Sequence, residues 1–227
     1  MTWEEYTAAW SELHGGFDPA AASPLVRGWV RLAYTGGSSL VRLRIGPMAV
    51  TGIGLASGVA VPFAVLPGPG GLLLGGVLVL LASFADGLDG AVAVLAGKVS
   101  RLGFVADSVA DRLGEAAWLA AFWLAGAPGW VVVAAGAVSW LHEYVRARAT
   151  AGGMREIGAV TVGERPTRVS VAVSGLIVGG VAGLLHAGWD AVVLTAAGVV
   201  WLALGVIGLA QLTTAVRREL AGNTDDR

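Results

Sequence analysis

Four carboxylates crowd one otherwise greasy stretch of chain, DGLDGAVAVLAGKVSRLGFVADSVAD: Asp86 and Asp89, then Asp107 and Asp111. The first pair is spaced i, i+3 and the second i, i+4, so on helices each pair projects from one face. A short basic link with Lys98 and Arg101 lies between them, which makes the segment a helical hairpin with its acids near the base. Four anions share a small, partly desolvated volume only when protons or cations neutralise them. Oxygen-only ligands favour a hard divalent cation, Mg2+ or Mn2+, over zinc.

The elements that must hold these acids are membrane helices. The chain has 227 residues, 56% hydrophobic and 14% charged, with a mean hydropathy of +0.72, beyond what soluble domains of this size carry. The apolar runs predict an all-α polytopic membrane protein with six spans, near 48–66, 71–90, 102–124, 129–144, 169–185 and 191–215, each close to the ~20 residues that cross a bilayer. Turns at Pro67-Gly68-Pro69-Gly70, Gly126-Ala127-Pro128 and His186 to Asp190 punctuate them. Small residues within the spans, such as Gly52, Gly54, Ser57 and Gly58, or Gly175, Gly179 and Gly180, suit close helix packing.

Residues 1–46 are not a span but an amphipathic, juxtamembrane leader. Trp3, Tyr6, Trp10 and Leu13 recur at helical spacing against Glu4, Glu5 and Glu12, and His14-Gly15-Gly16 ends that helix. Ser23 and Pro24 start a second helix as N-cap and N1. It carries Arg27, Trp29, Arg31 and Tyr34, the basic and aromatic mix of a membrane surface, and Gly36-Gly37 interrupts it. No basic n-region precedes the apolar runs, so no cleavable signal is expected. Residues 47–216 form the membrane domain, and 217–227 a polar, frayed tail.

Charge orients the spans. Lys and Arg gather before the first span, in the hairpin link, between the fourth and fifth spans and after the sixth, while the three alternate turns have none. The positive-inside rule then places both termini and the acid-bearing link in the cytoplasm of a plasma-membrane protein. A net charge of −1 gives no field for nucleic acid, and the absence of Cys excludes disulfides and thiolate chemistry.

The acids and glycines together form D-x-x-D-G followed by G-x-x-x-D-x-x-x-D: Asp86, Asp89 and Gly90, then Gly103, Asp107 and Asp111. This pattern resembles the signature of the CDP-alcohol phosphotransferase family of membrane enzymes. Ala93 also matches, but Val94 stands where the family has Arg, on the nucleotide side of the site. The resemblance implies an enzyme of phospholipid biosynthesis that moves a substituted phosphate from a CDP-alcohol, such as CDP-diacylglycerol, to a small polar alcohol, releasing CMP. It further implies two Mg2+ or Mn2+ ions held by Asp86, Asp89, Asp107 and Asp111, with Asp111 as general base, and a homodimer. Gly90, Ala93 and Gly103 would let a nucleotide approach the helix backbones. Lys98, one turn beyond Val94, or Arg101, two turns on, would supply the positive charge lost there.

The stretch from His142 to Arg168 resembles the span-four to span-five junction of actinobacterial phosphatidylinositol-phosphate synthases within the family. That likeness assigns Arg146, Arg165 and Arg168 to a phosphorylated acceptor, against the alternative of ordinary cytoplasmic charge. His142 reads as a packed or interfacial histidine, and His14 and His186 fall in turns. Two rivals remain: a family-fold protein whose activity is lost or altered with its Arg, and a transporter whose acids relay ions across the bilayer.

Overall fold

In a computed structural model of the chain, residues 1–13, 19, 22–154 and 160–222 are described, and helices dominate them. In chain order they are α1 (Trp3–Leu13), α2 (Pro24–Arg42), α3 (Pro47–Ala64), α4 (Pro69–Leu95), α5 (Arg101–Leu124), α6 (Gly129–Ala151), α7 (Arg165–Leu185) and α8 (Trp189–Gly222). The His14-Gly15-Gly16 turn, Arg155 and residues 223–227 lie outside the described residues.

Two compact units emerge, one of residues 1–57 and 81–113, the other of residues 58–80 and 114–227. The first holds the leader and the acidic hairpin. Its α1 opens with a capping box: Thr2 Oγ1 accepts from Glu5 N at 3.2 Å, and Glu5 Oε2 accepts from Thr2 N at 2.7 Å. Ser23 caps α2 as expected, its Oγ accepting from Val26 N at 3.4 Å with Pro24 next in the chain. The expected break at Gly36-Gly37 is absent, and α2 runs through both. These glycines serve contact with α4 instead. A Cβ on Gly36 would meet Leu88 Cδ2 at 2.8 Å, and one on Gly37 would meet Ala91 Cβ at 3.2 Å. Helix α4 ends where Gly97 adopts φ +62, with Lys98 N donating to Ala93 O at 2.8 Å and Gly97 N to Val94 O at 3.1 Å. This is a Schellman ending, which a residue with a Cβ tolerates poorly. Ser100 then caps α5, its Oγ accepting from Gly103 N at 3.0 Å.

The second unit packs α7 and α6 against α8. Trp118, Phe122, Leu176, Leu194 and Trp201 fill its core, with Phe122 and Trp201 edge to face at 6.4 Å. The buried indole of Trp201 is satisfied by donating to Ser139 Oγ at 2.9 Å. Gly175 and Gly180 pack tightly here, as a stripe of small residues should, whereas Gly52 in the first unit faces open space.

Four helices, α3, α4, α7 and α8, are long and apolar enough to cross a membrane. Of the six spans expected, these four meet that criterion among the described residues. Helices α5 and α6 have the length, at 24 and 23 residues, but carry charge: Arg101, Asp107, Asp111, Arg112 and Glu115 on one, Glu143, Arg146 and Arg148 on the other. The tail also differs from expectation, because α8 continues in helix through Arg217, Arg218 and Glu219 to Gly222. Large apolar side chains on these helices stand open, among them Phe63, Leu74, Trp130, Val133 and Leu185, a surface suited to lipid rather than water.

Candidate metal and nucleotide site

Asp86 near the end of α4 and Asp107 and Asp111 on α5 converge, each offering an oxygen within 4.8 Å of the others, and all three are half-buried. The hairpin geometry of the first unit creates this. The Schellman ending at Gly97 and the Ser100 cap close the link in five residues, so the C-terminal turns of α4 meet the first turns of α5. Ligand oxygens on one octahedral ion lie about 3 Å apart when adjacent and about 4.2 Å when opposite, at bonds of ~2.1 Å. The three carboxylates therefore nearly match the span of a single ion's coordination shell, and their hard oxygen donors suit Mg2+ or Mn2+. Arg112 Nη2 lies 3.9 Å from Asp111 Oδ2.

The fourth expected acid, Asp89, stands outside this group of three but lines the same cavity as Asp86 and Asp107. Three residues along a helix is a turn of about 300°, which leaves its side chain about 60° away from that of Asp86. One of its oxygens is engaged by α3, where Thr51 Oγ1 donates to Asp89 Oδ2, and it is buried. The Thr51 hydroxyl also lies 3.1 Å from Pro47 O. Its single proton is better spent on a carboxylate than on a neutral carbonyl. Thr51 was not found by sequence reasoning; a threonine in an apolar span gives no sign of which helix it will meet.

A cavity of about 890 Å3 adjoins the acids, and Gly90, Ala93, Lys98 and Gly103 all line it together with Asp86, Asp89, Asp107 and Thr51. Gly90 has nothing within 4 Å of where a Cβ would stand, so its backbone is bare to the cavity. Gly103 is bound more tightly into its cap, with a Cβ position only 3.1 Å from Ser100 Oγ. Tyr6, Trp10 and Trp29 of the leader form another part of the lining. Val94 also belongs to the lining, 7% exposed and packed with Tyr6, Val30, Ala33 and Ala91.

The second unit holds the other predicted residues. Arg168, expected to face an acceptor phosphate, is 3% exposed, and its guanidinium is held by several groups within the protein. Nη1 donates to both oxygens of Glu115 at 3.1 Å, Nη2 to Glu143 Oε1 at 2.7 Å, and Nε to Gly163 O at 2.8 Å. Nη2 also lies 3.4 Å from His142 Nδ1. A guanidinium entering a low-dielectric interior requires such neutralisation. Arg146 pairs with Glu164, which also accepts from Thr161 N and Oγ1 at 3.0 Å. Arg165 opens α7. His142 is a packed histidine, buried with Nε2 2.9 Å from Thr161 Oγ1, and His186 ends α7 beside the Trp189 ring. Glu115, the deepest partner of Arg168, was also missed, because a single acid on a charged helix face resembles solvated surface.

Comparison with known proteins agrees with the motif. The family model for CDP-alcohol phosphatidyltransferase matches residues 44–216. The phosphatidylinositol phosphate synthase of Mycobacteroides abscessus is 36% identical over 150 residues, 63% of this chain and 67% of its own. That of Cutibacterium acnes is 32% identical over 204 residues, 84% of this chain and 95% of its own. The crystal structure of Mycobacterium tuberculosis phosphatidylinositol phosphate synthase with CDP-DAG bound has a TM-score of 0.67 at 26% identity, covering 82% of this chain and 94% of that one. The same enzyme in complex with manganese and citrate has a TM-score of 0.66 at 26% identity, over 81% and 88%. The acidic hairpin, the apolar helices and a family model spanning most of the sequence agree: this chain belongs to the CDP-alcohol phosphatidyltransferase family, and is a membrane-embedded transferase of phospholipid biosynthesis.

Proposed function

We propose that the protein transfers the phosphatidyl group of CDP-diacylglycerol, or a related CDP-alcohol, to a small polar alcohol that itself carries a phosphate, releasing CMP. The observation that carries this reading is the convergence of Asp86, Asp107 and Asp111 beside a cavity whose Gly90 backbone is bare. The relatives, phosphatidylinositol phosphate synthases, support inositol phosphate as the acceptor to try first. Helices α3 to α8 all cross the bilayer in this reading, with α5 and α6 sheltering their charges among neighbours. Both termini lie in the cytoplasm, and the enzyme works as a homodimer in the plasma membrane.

Asp86, Asp107 and Asp111 would hold one divalent ion, and Asp89 would share a second with them. Such ions supply Lewis-acid neutralisation of the donor diphosphate and of the leaving CMP. The chain's own residues do the rest. Gly90 leaves space for the diphosphate against α4. Lys98, whose backbone closes the Schellman ending of α4 and which lines the cavity, adds positive charge to the nucleotide side. Asp111 accepts the acceptor's hydroxyl proton as its oxygen attacks the donor phosphorus and the bond to CMP breaks. Arg146 and Arg165 remain the candidates for the acceptor's phosphate.

Purified protein given CDP-diacylglycerol and Mn2+ tests the proposal. CMP should appear with inositol phosphate and not without an acceptor; no release with any of a panel of alcohols and alcohol phosphates would refute it. Such a null result would favour a second reading, an inactive family-fold protein, for which Val94 in place of the motif arginine is the motive. Lys98→Met should weaken CDP binding by about tenfold, the scale of one charge-assisted contact, measured by calorimetry; unchanged affinity would remove Lys98 from the site. Thr51→Val should lower Mn2+ affinity about 10- to 100-fold, as loss of a group that orients a ligand does, while Thr51→Ser retains it. Mn2+ electron paramagnetic resonance reads both.

A further inference from the structure

The place of the missing motif arginine is not vacant. Val94 is 7% exposed and lies in a cluster with Tyr6, itself 1% exposed, and Val30. Tyr6 belongs to α1, far upstream in sequence from the motif. Burial pushes its phenol up to about 12, so it stays neutral at working pH and puts no charge where the arginine would stand. Helix α1 is pinned by aromatic contacts with α2. Trp3 and Tyr34 meet edge to face at 5.4 Å, Tyr6 and Tyr34 lie 5.2 Å apart, and Tyr34 Oη donates to Met1 O at 3.1 Å. The Arg31 guanidinium covers the Trp3 ring at 5.8 Å.

This aromatic assembly faces the cavity that the acids also line. Trp10 of α1 and Trp29 of α2 join Tyr6 in its wall, and the Trp29 indole lies over α4 at Gly87, where a Cβ would stand 3.5 Å from Nε1. The cavity lining therefore combines metal-suited acids with aromatic rings. A CDP-alcohol offers a diphosphate to the first and a flat heterocycle to the second. Stacking on an aromatic ring holds a base without any formal charge, and the leader, which precedes the first span, lies on the side from which a nucleotide arrives.

We propose that α1 is a working wall of the donor site: Tyr6 occupies the position of the motif arginine against Val94, and Trp10 presents a ring face to the donor's nucleobase. This rests on the CDP-alcohol reading above. The test uses the full chain in nanodiscs with Mn2+, measuring binding of free CDP and, separately, KM and kcat with CDP-diacylglycerol. Trp10→Ala should weaken CDP about tenfold and raise KM for CDP-diacylglycerol by the same factor with little change in kcat, while Trp10→Phe keeps both near wild type. Val94→Arg alone should lower melting temperature by overpacking. Combined with Tyr6→Ala it should bind CDP more tightly than the two single changes predict together. CDP affinity unchanged in Trp10→Ala, or a rise in KM for the lipid donor alone, would overturn the proposal, as would additivity at positions 6 and 94. Wild-type CMP release separates the two ideas: if it is present and the Trp10 variants match wild type, only the aromatic wall fails. If wild type neither binds CDP nor releases CMP, the donor reading fails and takes the wall with it.

Discussion

Asp107→Asn should cut CMP release by about 10³-fold, the scale lost when a principal charge-stabilising group leaves an active site, and should do so without unfolding the protein. Asp107 is half-buried on α5, with its oxygen within 4.8 Å of oxygens of both Asp86 and Asp111. Asparagine keeps its shape and removes one of three like charges. The variant should therefore be no less stable than wild type in metal-free buffer, because mutual repulsion falls. The difference should emerge on adding Mn2+. Wild type should gain stability as RT ln(1 + [L]/Kd), about 2.7 kcal/mol at a hundredfold excess over Kd, and the variant should gain much less. Melting curves with and without Mn2+, set beside CMP release, check both halves. A variant that loses activity yet keeps the full metal-induced gain would place the ion elsewhere, and the three-acid site would be wrong.

The part of this site legible in sequence was the part governed by helical periodicity. Asp107 and Asp111 share a face because four residues carry a helix just past one full turn, and the short basic link between the acid pairs marked the hairpin. Helices α3 to α8 fell close to the apolar runs, because about 20 apolar residues mark a candidate span whatever they pack against. What periodicity cannot supply is the identity of the partner across a packing surface. Asp89 was grouped with Asp86 by spacing, but the neighbouring helix at its azimuth carries Thr51. Gly36 and Gly37 looked like a breakpoint because glycine disfavours helix. The contacts with Leu88 and Ala91 that make them useful come from residues some fifty positions away. Tyr6 was assigned to the apolar face of α1, and so it is, yet nothing local revealed that this face covers Val94.

Arg168 shows the same limit with the largest energetic consequence. Positive charge just before a span suits a phosphate ligand and cytoplasmic topology equally, and only the acids around it distinguish these from a third role, that of an internal strut. Glu115 is 1% exposed and takes two hydrogen bonds from Arg168. Arg168→Met would leave that carboxylate buried without its guanidinium, a situation that costs about 3–5 kcal/mol, so a large fall in melting temperature in detergent is expected. Glu115→Met should be similarly harmful, because it leaves the arginine less well neutralised. The double variant Glu115→Met/Arg168→Met should recover much of the loss, since removing both buried charges together is far cheaper than removing one. Glu143, about 30% exposed at its side chain, can turn to water. The acceptor then decides between the roles. If Arg168 is a strut, the double variant should retain a near wild-type KM for the acceptor once corrected for folded fraction. If Arg168 grips the acceptor's phosphate, that KM should rise in every variant lacking the arginine, the double included, however well it folds.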